Sequence, residues 1–326
     1  MMETRPFGKT GLRVSELGFG TSQIGNTDHT HQGVKFMAQE DATAILDMAV
    51  HEGVTFFDTG RNYGSSERQM GDLRRRHGGE SLTIATKAGL IGNQTRDFTR
   101  PFLEKSVEDS LAQIGGREID VFQVNKPTLE QWRTFGIADT LARLKGKGRV
   151  RHTGLIVGEL AVGYEAVRSR AVDCIQVLYN LLYHETDELI ASAHQAGIAV
   201  IVRSPLNSGL LSGRYTTKTT FDANDARSTF FTGEEFNSRL ESLRRIQEDL
   251  GVSSDALLGF AIRFILSRPD VSTVIPAAST PHQLMAYVQA AKAIHQMADL
   301  SHDERRCMRA VVETHLLLSS SQIQNI

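Results

Sequence analysis

Short apolar runs alternate with amphipathic segments along most of the chain. Six runs have strand character: VTFFD (54–58), LTIATK (82–87), IDVFQVN (119–125), RVRHTGL (149–155), VDCIQVL (172–178) and IAVIVRS (198–204). The segments between them have the spacing of apolar residues that is typical of helices, and several end in glycine, the usual left-handed stop. This alternation predicts βαβ units and a parallel sheet.

Two further runs, ELGFGT near the start and VSTVIP near the end, raise the number of predicted strands to eight. Eight βα units close naturally into a (β/α)8 TIM barrel, and a doubly wound sheet is the alternative α/β architecture. The opening RPFGKTGLRVSELG predicts a short N-terminal hairpin that turns at Lys9, Thr10 and Gly11. Helical patterns at 281–297 and 302–317 predict extra C-terminal helices after the last strand.

Nothing along the chain marks a domain boundary, so we expect residues 1–326 to form one barrel domain. The stretch from Ser204 to about Asn237 breaks the rhythm as a long polar, glycine-containing connection after the seventh strand. Loops of that length in compact domains are usually functional or disordered. We expect specificity to depend on the loops 22–39 and 204–237 and on the C-terminal tail, because barrel enzymes vary in their loops.

Composition excludes several function classes. The 36 basic and 38 acidic side chains give a net charge of −2, which argues against a nucleic-acid or anionic-membrane partner. Cys174 and Cys307 match no metal or redox spacing, and the apolar surroundings of Cys174 predict a buried free thiol. His29 and His31 lack a third ligand, so no metal site is expected. The N-terminus lacks a signal-peptide core and no run is long enough to span a membrane, which predicts a cytoplasmic protein.

Polar side chains follow three of the predicted strands. Asp58, Lys87 and Asn125 come directly after buried runs, and Tyr63 lies in the loop after the second strand. The C-terminal ends of barrel strands meet at one mouth, where catalytic groups sit. A tyrosine is a weak acid, an ammonium group beside it favours its phenolate, and a carboxylate can hold that ammonium in place. The set suits protonation of a carbonyl oxygen, although each residue alone could also be a cap, a loop aromatic or a solvated strand end.

Longer motifs resemble one known family. FFDTGRNYGSSERQMG, TIATKAG and IDVFQVNKP are similar to aldo-keto reductase segments, as are RPFGKTGLRVSELGFGT, QVLYNLL, SPLNSGLLSGRY and FILSRPDVSTVIP. The resemblance covers nearly the whole chain in the same order. It implies a (β/α)8 barrel that uses NADP or NAD to reduce aldehydes and ketones, or to run the reverse oxidation. It further implies that Tyr63 is the general acid, that Lys87 promotes its ionisation and that Asp58 orients Lys87.

The fourth catalytic position of that family is a histidine, and Asn125 stands there in this chain. An asparagine still donates a hydrogen bond to a carbonyl, but it cannot share a proton. The potassium-channel β-subunits, a branch of the same family, resemble this pattern and bind a nicotinamide cofactor. Asn125 therefore indicates either a weakened catalyst or a changed substrate.

The positions that would hold the cofactor are altered as well. Ile156 and Val157 replace a serine and an asparagine that hold the nicotinamide amide in the family, and they offer no side-chain hydrogen bond. Arg203 takes the place of a stacking ring, where a guanidinium can stack or can clamp a substrate carboxylate or phosphate. The resemblance assigns cofactor binding to Gln176, Arg203, Ser204, Leu206, Ser279 and Gln283.

The segment that grips the 2′-phosphate of NADP in the family lacks its usual cation. Ala277 and Ser279 stand where the family has Gly-x-Arg or Gly-x-Lys, while Gln283 is kept. A phosphate normally requires a positive partner, so the sequence leaves NADP and NAD both open. Arg214 or Lys218 in the long loop could supply that charge.

Three functions fit these residues. The first is a nicotinamide-dependent oxidoreductase acting on a small carbonyl compound or alcohol, which is the function we expect. The second is a cofactor-binding regulatory subunit with little turnover, indicated by Asn125, Ile156 and Val157. The third is a lyase or isomerase that keeps Asp58 and its partners for proton transfer alone. The substrate and the oligomeric state are left open by the sequence.

Overall fold

A computed structural model describes residues 2–25, 37–78, 81–91, 95–223, 225, 227–295, 308 and 310. The two histidines at 29 and 31, Cys307 and nearly all of the helix predicted at 302–317 lie outside these residues, as does most of the loop 22–39. Among the described residues, no helix is both long enough and apolar enough to cross a membrane.

The strands in chain order are β1 (Thr4–Pro6), β2 (Arg13–Ser15), β3 (Phe19–Gly20), β4 (Phe56–Asp58), β5 (Thr83–Ala88), β6 (Leu90–Ile91), β7 (Thr95–Arg96), β8 (Ile119–Asn125), β9 (Val150–Ile156), β10 (Cys174–Leu178), β11 (Ala199–Arg203) and β12 (Thr273–Val274). β1 and β2 form the predicted antiparallel hairpin, and β6 and β7 form a second one that the sequence did not predict. The other eight strands form one parallel sheet in the order β3-β4-β5-β8-β9-β10-β11-β12.

The helices are α1 (Gln39–His51), α2 (Ser66–His77), α3 (Arg100–Ile114), α4 (Leu129–Thr134), α5 (Ile137–Gly146), α6 (Leu160–Ser169), α7 (Asp187–Ala196), α8 (Arg227–Phe230), α9 (Gly233–Leu250), α10 (Ser254–Leu266) and α11 (Pro281–Ile294). Backbone hydrogen bonds from Gly18 N to Val274 O (2.8 Å) and from Val274 N to Glu16 O (2.9 Å) join the last strand to the first. The sheet therefore closes, which confirms the (β/α)8 barrel over the doubly wound alternative. α11 confirms the first of the two helices predicted after the last strand.

Side chains alternate between the barrel interior and the helical layer because a strand repeats every two residues. The deep interior is apolar, with Phe56, Ala85, Val121, Cys174 and Ala199 packed in one cluster. Two residues further along, the inward positions of β4, β5, β8 and β10 become polar, whereas that of β11 stays apolar. Cys174 is a buried free thiol, as predicted, and its burial raises the pKa of the thiol.

The N-terminal hairpin closes the bottom of the barrel. Phe7 and Val14 of this segment are fully buried in the same interior cluster, and the Phe7 ring lies 5.6 Å from that of Phe56. Lys9 N donates to Gly197 O at 2.9 Å, which fixes the hairpin turn on the loop between α7 and β11. These side chains fill this end of the barrel, so within the described part of the chain we look for a ligand site at the opposite end, where the strands finish.

The segment after β11 corrects the prediction of a long polar connection. It contains a 3₁₀ helix (Asn207–Ser212), then α8, and α9 already begins at Gly233. Four rings along it contact one another, with ring centroids 5.2–6.2 Å apart: Tyr215, Phe221, Phe231 and Phe236. The spacing of these rings follows neither strand nor helix periodicity, so a search for periodic patterns does not detect the cluster.

Candidate active site

The deepest polar feature of the barrel mouth is a buried ion pair between β4 and β5. Lys87 Nζ donates to Asp58 Oδ1 and also to Thr59 O at 2.9 Å, and both charged side chains are about 4% exposed. Burial is the largest single influence and lowers the pKa of Lys87, but the charge and hydrogen bonding of Asp58 and Tyr63 together outweigh it, so the pKa lies above its usual value. Lys87 is therefore a permanent ammonium at neutral pH.

Two buried amides hold the other oxygen of the carboxylate. Gln123 Nε2 and Gln176 Nε2 each donate to Asp58 Oδ2 at 2.9 Å, and Gln176 Nε2 also donates to Gln123 Oε1 at 3.1 Å. Sequence reasoning missed Gln123, although the two-residue period places it on the same face of β8 as Asn125. The amide group expected to contact nicotinamide, that of Gln176, thus also supports Asp58. We call Asp58, Lys87, Gln123 and Gln176 the buried network.

Tyr63 lies beside this network, in the loop between β4 and α2. Lys87 Nζ is 4.7 Å from the centroid of the partly exposed Tyr63 ring. A Cβ at Gly60 would lie 3.0 Å from Lys87 Cγ, so this glycine leaves room for the lysine stem beneath the loop. The structure therefore brings together the predicted residues Asp58, Tyr63 and Lys87.

Asn125 stands apart from that group. It ends β8 one side-chain repeat above Gln123, is partly exposed, and pairs across the sheet with Ile156 of β9. Its backbone oxygen accepts a hydrogen bond from Arg96 Nη1 at 2.5 Å, which ties the β6–β7 hairpin to the rim of the barrel. The sequence predicts Asn125 at the same mouth as Asp58 and Lys87, and within β8 it is Gln123 that contacts Asp58.

Three cations, Arg96, Lys126 and Arg203, lie near one another at this rim. Lys126 and Ser204, the residues directly after β8 and β11, both have left-handed backbones, with φ of 53° and 52°. Non-glycine residues rarely adopt that conformation, and such outliers concentrate at functional sites. Burial, followed by the charges of Arg203 and Arg96, lowers the pKa of Lys126 to about 7. Burial also lowers the pKa of Arg203, to about 10.

A cavity of about 310 Å³ opens between the ends of β9, β10 and β11. Its walls include Val157, Gly158, Leu178, Tyr183 and Arg203, together with the first turn of α6. Tyr183 OH donates to Glu185 Oε2 at 2.8 Å, so this pair forms a polar edge. The cavity thus adjoins two of the predicted cofactor positions, Val157 and Arg203.

The predicted residues Ser204 and Leu206 lie where the chain leaves β11. Ser204 O accepts from Asn180 Nδ2 at 3.0 Å, and Leu206 is buried at the start of the 3₁₀ helix. Next to it, Asn207 Oδ1 is buried and has no hydrogen-bond partner among the described residues. A buried acceptor without a donor is costly, so Asn207 is a candidate ligand contact that sequence reasoning missed. Its place inside the SPLNSGLL motif was the available signal.

Ser279 and Gln283 lie after the last barrel strand, at the start of α11. Ser279 N and Oγ donate to Gln283 Oε1 at 2.8 and 3.0 Å. Arg214 Nη2 lies 3.2 Å from His282 Nδ1, so the segment after β11 brings a cation to the same helix terminus. This contact does not include Lys218, the other cation that the sequence suggested.

Comparisons with known proteins agree with this arrangement. A sequence profile described as "Aldo/keto reductase family" matches residues 16–302. The chain is 25% identical over 301 residues to the "Uncharacterized oxidoreductase YqkF" of Bacillus subtilis, covering 90% of this chain and 92% of that one. It is also 25% identical to an "NADH-specific methylglyoxal reductase" of Escherichia coli, over 96% and 99% of the two chains. The structure of a glycerol dehydrogenase from Gluconobacter oxydans has the same fold, with a TM-score of 0.77 at 22% identity over 97% of both chains.

Proposed function

The chain belongs to the aldo/keto reductase family, an oxidoreductase family that uses nicotinamide cofactors, and from that premise we propose that it reduces an aldehyde or ketone, or oxidises the corresponding alcohol, with Tyr63 as the proton donor. The observation that carries the proposal is the Lys87 ammonium, which lies 4.7 Å from the Tyr63 ring centroid and is paired with Asp58. A phenol beside a fixed cation is a suitable proton donor, because the cation stabilises the phenolate that remains.

Two observations support a nicotinamide cofactor at the mouth. The cavity at Val157 and Arg203 has an apolar wall and a planar guanidinium, and such a guanidinium can stack on an aromatic ring. Asn207 Oδ1 needs a hydrogen-bond donor, which an amide or ribose hydroxyl provides. We therefore assign cofactor contacts to these residues and to Gln176, Ser204 and Leu206. When bound in its reduced form, the nicotinamide supplies a hydride to the carbonyl carbon.

The protein's own residues donate the proton and stabilise the phenolate that remains. As the carbonyl oxygen gains negative charge, the Tyr63 hydroxyl gives it a proton and the carbonyl becomes an alcohol. Lys87 stabilises the phenolate, and the buried network keeps the ammonium of Lys87 from moving towards the substrate. Asn125 donates its amide hydrogen to the same oxygen, and a donor aimed at a developing oxyanion is worth about 10²–10³ in rate.

Cofactor preference depends on the start of α11. Arg214 lies 3.2 Å from His282, which is next to Gln283 in the chain, and so brings a positive charge to this helix terminus. Its side chain is exposed to solvent. An exposed cation binds a phosphate weakly, so we expect both cofactors to bind, with NADPH preferred by less than about a hundredfold, or about 2.7 kcal/mol. The similarity to a relative described as NADH-specific supports this expectation.

The test is a titration with NADH and NADPH, followed by turnover of a panel of aldehydes, ketones and sugars. Nicotinamide fluorescence reports binding, and its disappearance at saturating carbonyl reports reduction. We expect binding of both cofactors and measurable reduction. If neither NADH nor NADPH binds, the proposal is contradicted and a lyase or isomerase is favoured. If a cofactor binds but no carbonyl compound is reduced, a regulatory subunit is favoured.

A further inference from the structure

Three cations surround the inner side of the mouth: Arg96 of β7, Lys126 after β8 and Arg203 at the end of β11. We call them the cationic rim. We propose that the cationic rim binds the carboxylate of the substrate, so that the preferred substrates are small aldehydes or ketones that carry a carboxylate group. This inference deepens the proposed reductase function and rests on it.

Backbone geometry places Lys126 at the cavity. Arg96 Nη1 donates to the backbone oxygens of Asn125 (2.5 Å) and Lys126 (3.3 Å), which holds the turn after β8. The Lys126 stem packs over Gly158, where a Cβ would lie 3.0 Å from Lys126 Cβ. Gly158 and Arg203 both line the cavity. Lys126 therefore lies beside the same cavity that Arg203 borders, and directly follows Asn125.

Lys126 lies among like charges. Arg96 and Arg203 are the charged groups that act on its ammonium, and each disfavours its protonated form. Two acids that line the same cavity have other partners: Glu159 Oε2 accepts from Leu129 N at 3.1 Å, and Glu185 Oε2 accepts from Tyr183 OH. Among the described residues, no ion pair includes Lys126. A positive charge that is partly buried beside two others is unfavourable, and an anion bound between them reverses that cost.

A carboxylate on the substrate fits this place better than the diphosphate of the cofactor. Lys126 is adjacent in sequence to Asn125, which we place on the reacting oxygen, so an anion held by Lys126 is close to the reacting carbonyl. A planar carboxylate also matches the hydrogen-bonding edge of a guanidinium such as that of Arg203. A cation bound to the cofactor instead would change the affinities of NADH and NADPH, and this outcome can be measured separately.

The experiment compares two pairs of aldehydes that differ only in charge: terephthalaldehydic acid with its methyl ester, and succinic semialdehyde with its methyl ester. Values of kcat/KM are measured with saturating reduced cofactor at a pH of about 6 and about 9. Calorimetry without cofactor measures binding of the same four compounds when no turnover occurs. We expect the acid-to-ester ratio to exceed about tenfold at the lower pH and to fall as Lys126 loses its proton.

Variants isolate the contribution of Lys126. Lys126→Met should lower the acid-to-ester ratio about tenfold or more, whereas Lys126→Arg should keep the ratio and remove its decline with pH, since arginine stays protonated. The matched control is Lys105→Met, because Lys105 is an exposed lysine of α3 paired with Asp109. Cofactor affinities are measured for each protein.

Equal kcat/KM and equal binding for acid and ester would overturn the inference while leaving the reductase function intact. A loss of NADH and NADPH affinity in Lys126→Met, with the acid-to-ester ratio unchanged, would also overturn it. If no aldehyde is reduced but the acids still bind more tightly than the esters in a Lys126-dependent way, the carboxylate site is supported and the reductase function fails.

Discussion

The buried network and the cationic rim lie on adjacent parts of the same barrel mouth but treat charge in opposite ways. In the network, the single ammonium of Lys87 has a carboxylate partner, and both oxygens of Asp58 have donors within the protein. In the rim, Arg96, Lys126 and Arg203 bring positive charges together, and the pKa of Lys126 falls to about 7 as a result of burial and these neighbours.

This difference separates a charged group suited to catalysis from a group of charges suited to binding an anion. A fully paired group keeps its protonation state and position whatever the ligand, which suits a cation that must stabilise a phenolate in every turnover. A group of like charges remains unfavourable until an anion arrives, which suits recognition of a substrate. The chain therefore places its paired charges deep in the barrel and a group of like charges at the rim.

The largest effect should come from removing the phenol that the network serves. Tyr63→Phe should lower kcat by about 10²–10⁴, the usual contribution of a positioned proton donor. The dissociation constants of NADH and NADPH should barely change, because the ring and its packing remain. Steady-state kinetics together with fluorescence titration measure both quantities, and an unchanged kcat would show that Tyr63 is only a loop aromatic.

The rigidity of the network can be tested at Gln123. Gln123→Leu removes one donor to Asp58 Oδ2 and the acceptor of Gln176, and hydrogen bonds to charged groups contribute about 1.5–3 kcal/mol each. We expect a loss of that size in the free energy of unfolding, measured by urea denaturation. Gln131→Leu is the control: it removes only the bond from Thr128 N to Gln131 Oε1 in the capping box of α4, so its loss should be smaller, about 0.5–1.5 kcal/mol. A stable Gln123→Leu protein with normal turnover would mean that Asp58 needs no second support.

In the cationic rim, unlike in the buried network, we expect a substitution to raise the free energy of unfolding. The pKa of Lys126 is about 7 in the folded chain and 10.5 in the unfolded chain, so the unfolded chain binds more protons between these values. The contribution of Lys126 to the free energy of unfolding is therefore most favourable above a pH of 10.5, and it becomes progressively less favourable as the pH falls to about 7. Lys126→Met should be more stable than wild type by on the order of 1–3 kcal/mol near pH 6.

Urea denaturation at several pH values measures that difference. The advantage of Lys126→Met over wild type should shrink as the pH rises from about 7 towards 10.5, because over this range unfolding of the wild type takes up a proton. It should vanish above 10.5, where the lysine is neutral in both states. The exposed Lys105→Met variant should show no such pH-dependent advantage. If Lys126→Met is less stable than wild type at every pH, its ammonium has a partner outside the described residues, and the contrast between rim and network disappears.

The smallest effect is expected at the boundary between the two regions. Asn125→His exchanges one hydrogen-bond donor for another, so the gain in turnover of a neutral aldehyde should be about tenfold at most. The imidazole titrates near neutral pH and should add a pH dependence there, visible in a kcat/KM profile. Cofactor affinity should stay the same. Loss of activity on a carboxylate-bearing aldehyde would instead identify Asn125 as a contact for specificity.

Local sequence patterns were sufficient for the barrel and for part of the candidate site. Each inward position follows from the two-residue period of a strand, so Asp58 and Lys87 could be placed at the mouth from their runs alone. The spacing of Tyr63 after the second strand put it in the loop beside them. These predictions succeeded because they depend on a few neighbouring residues and on the general rule that barrel strands end at one mouth.

Other features depend on residues that are distant in the chain. The contact of Gln123 and Gln176 with Asp58 requires three strands in one register, and that register is fixed when the sheet closes. The approach of Lys126 to Arg203, and of Arg214 to His282, likewise depends on how separate loops fold over the rim. The sequence by itself determined which residues end the strands, because strand periodicity is local. Only the tertiary structure decided which of those residues share a charge environment, because that depends on distances across the closed barrel.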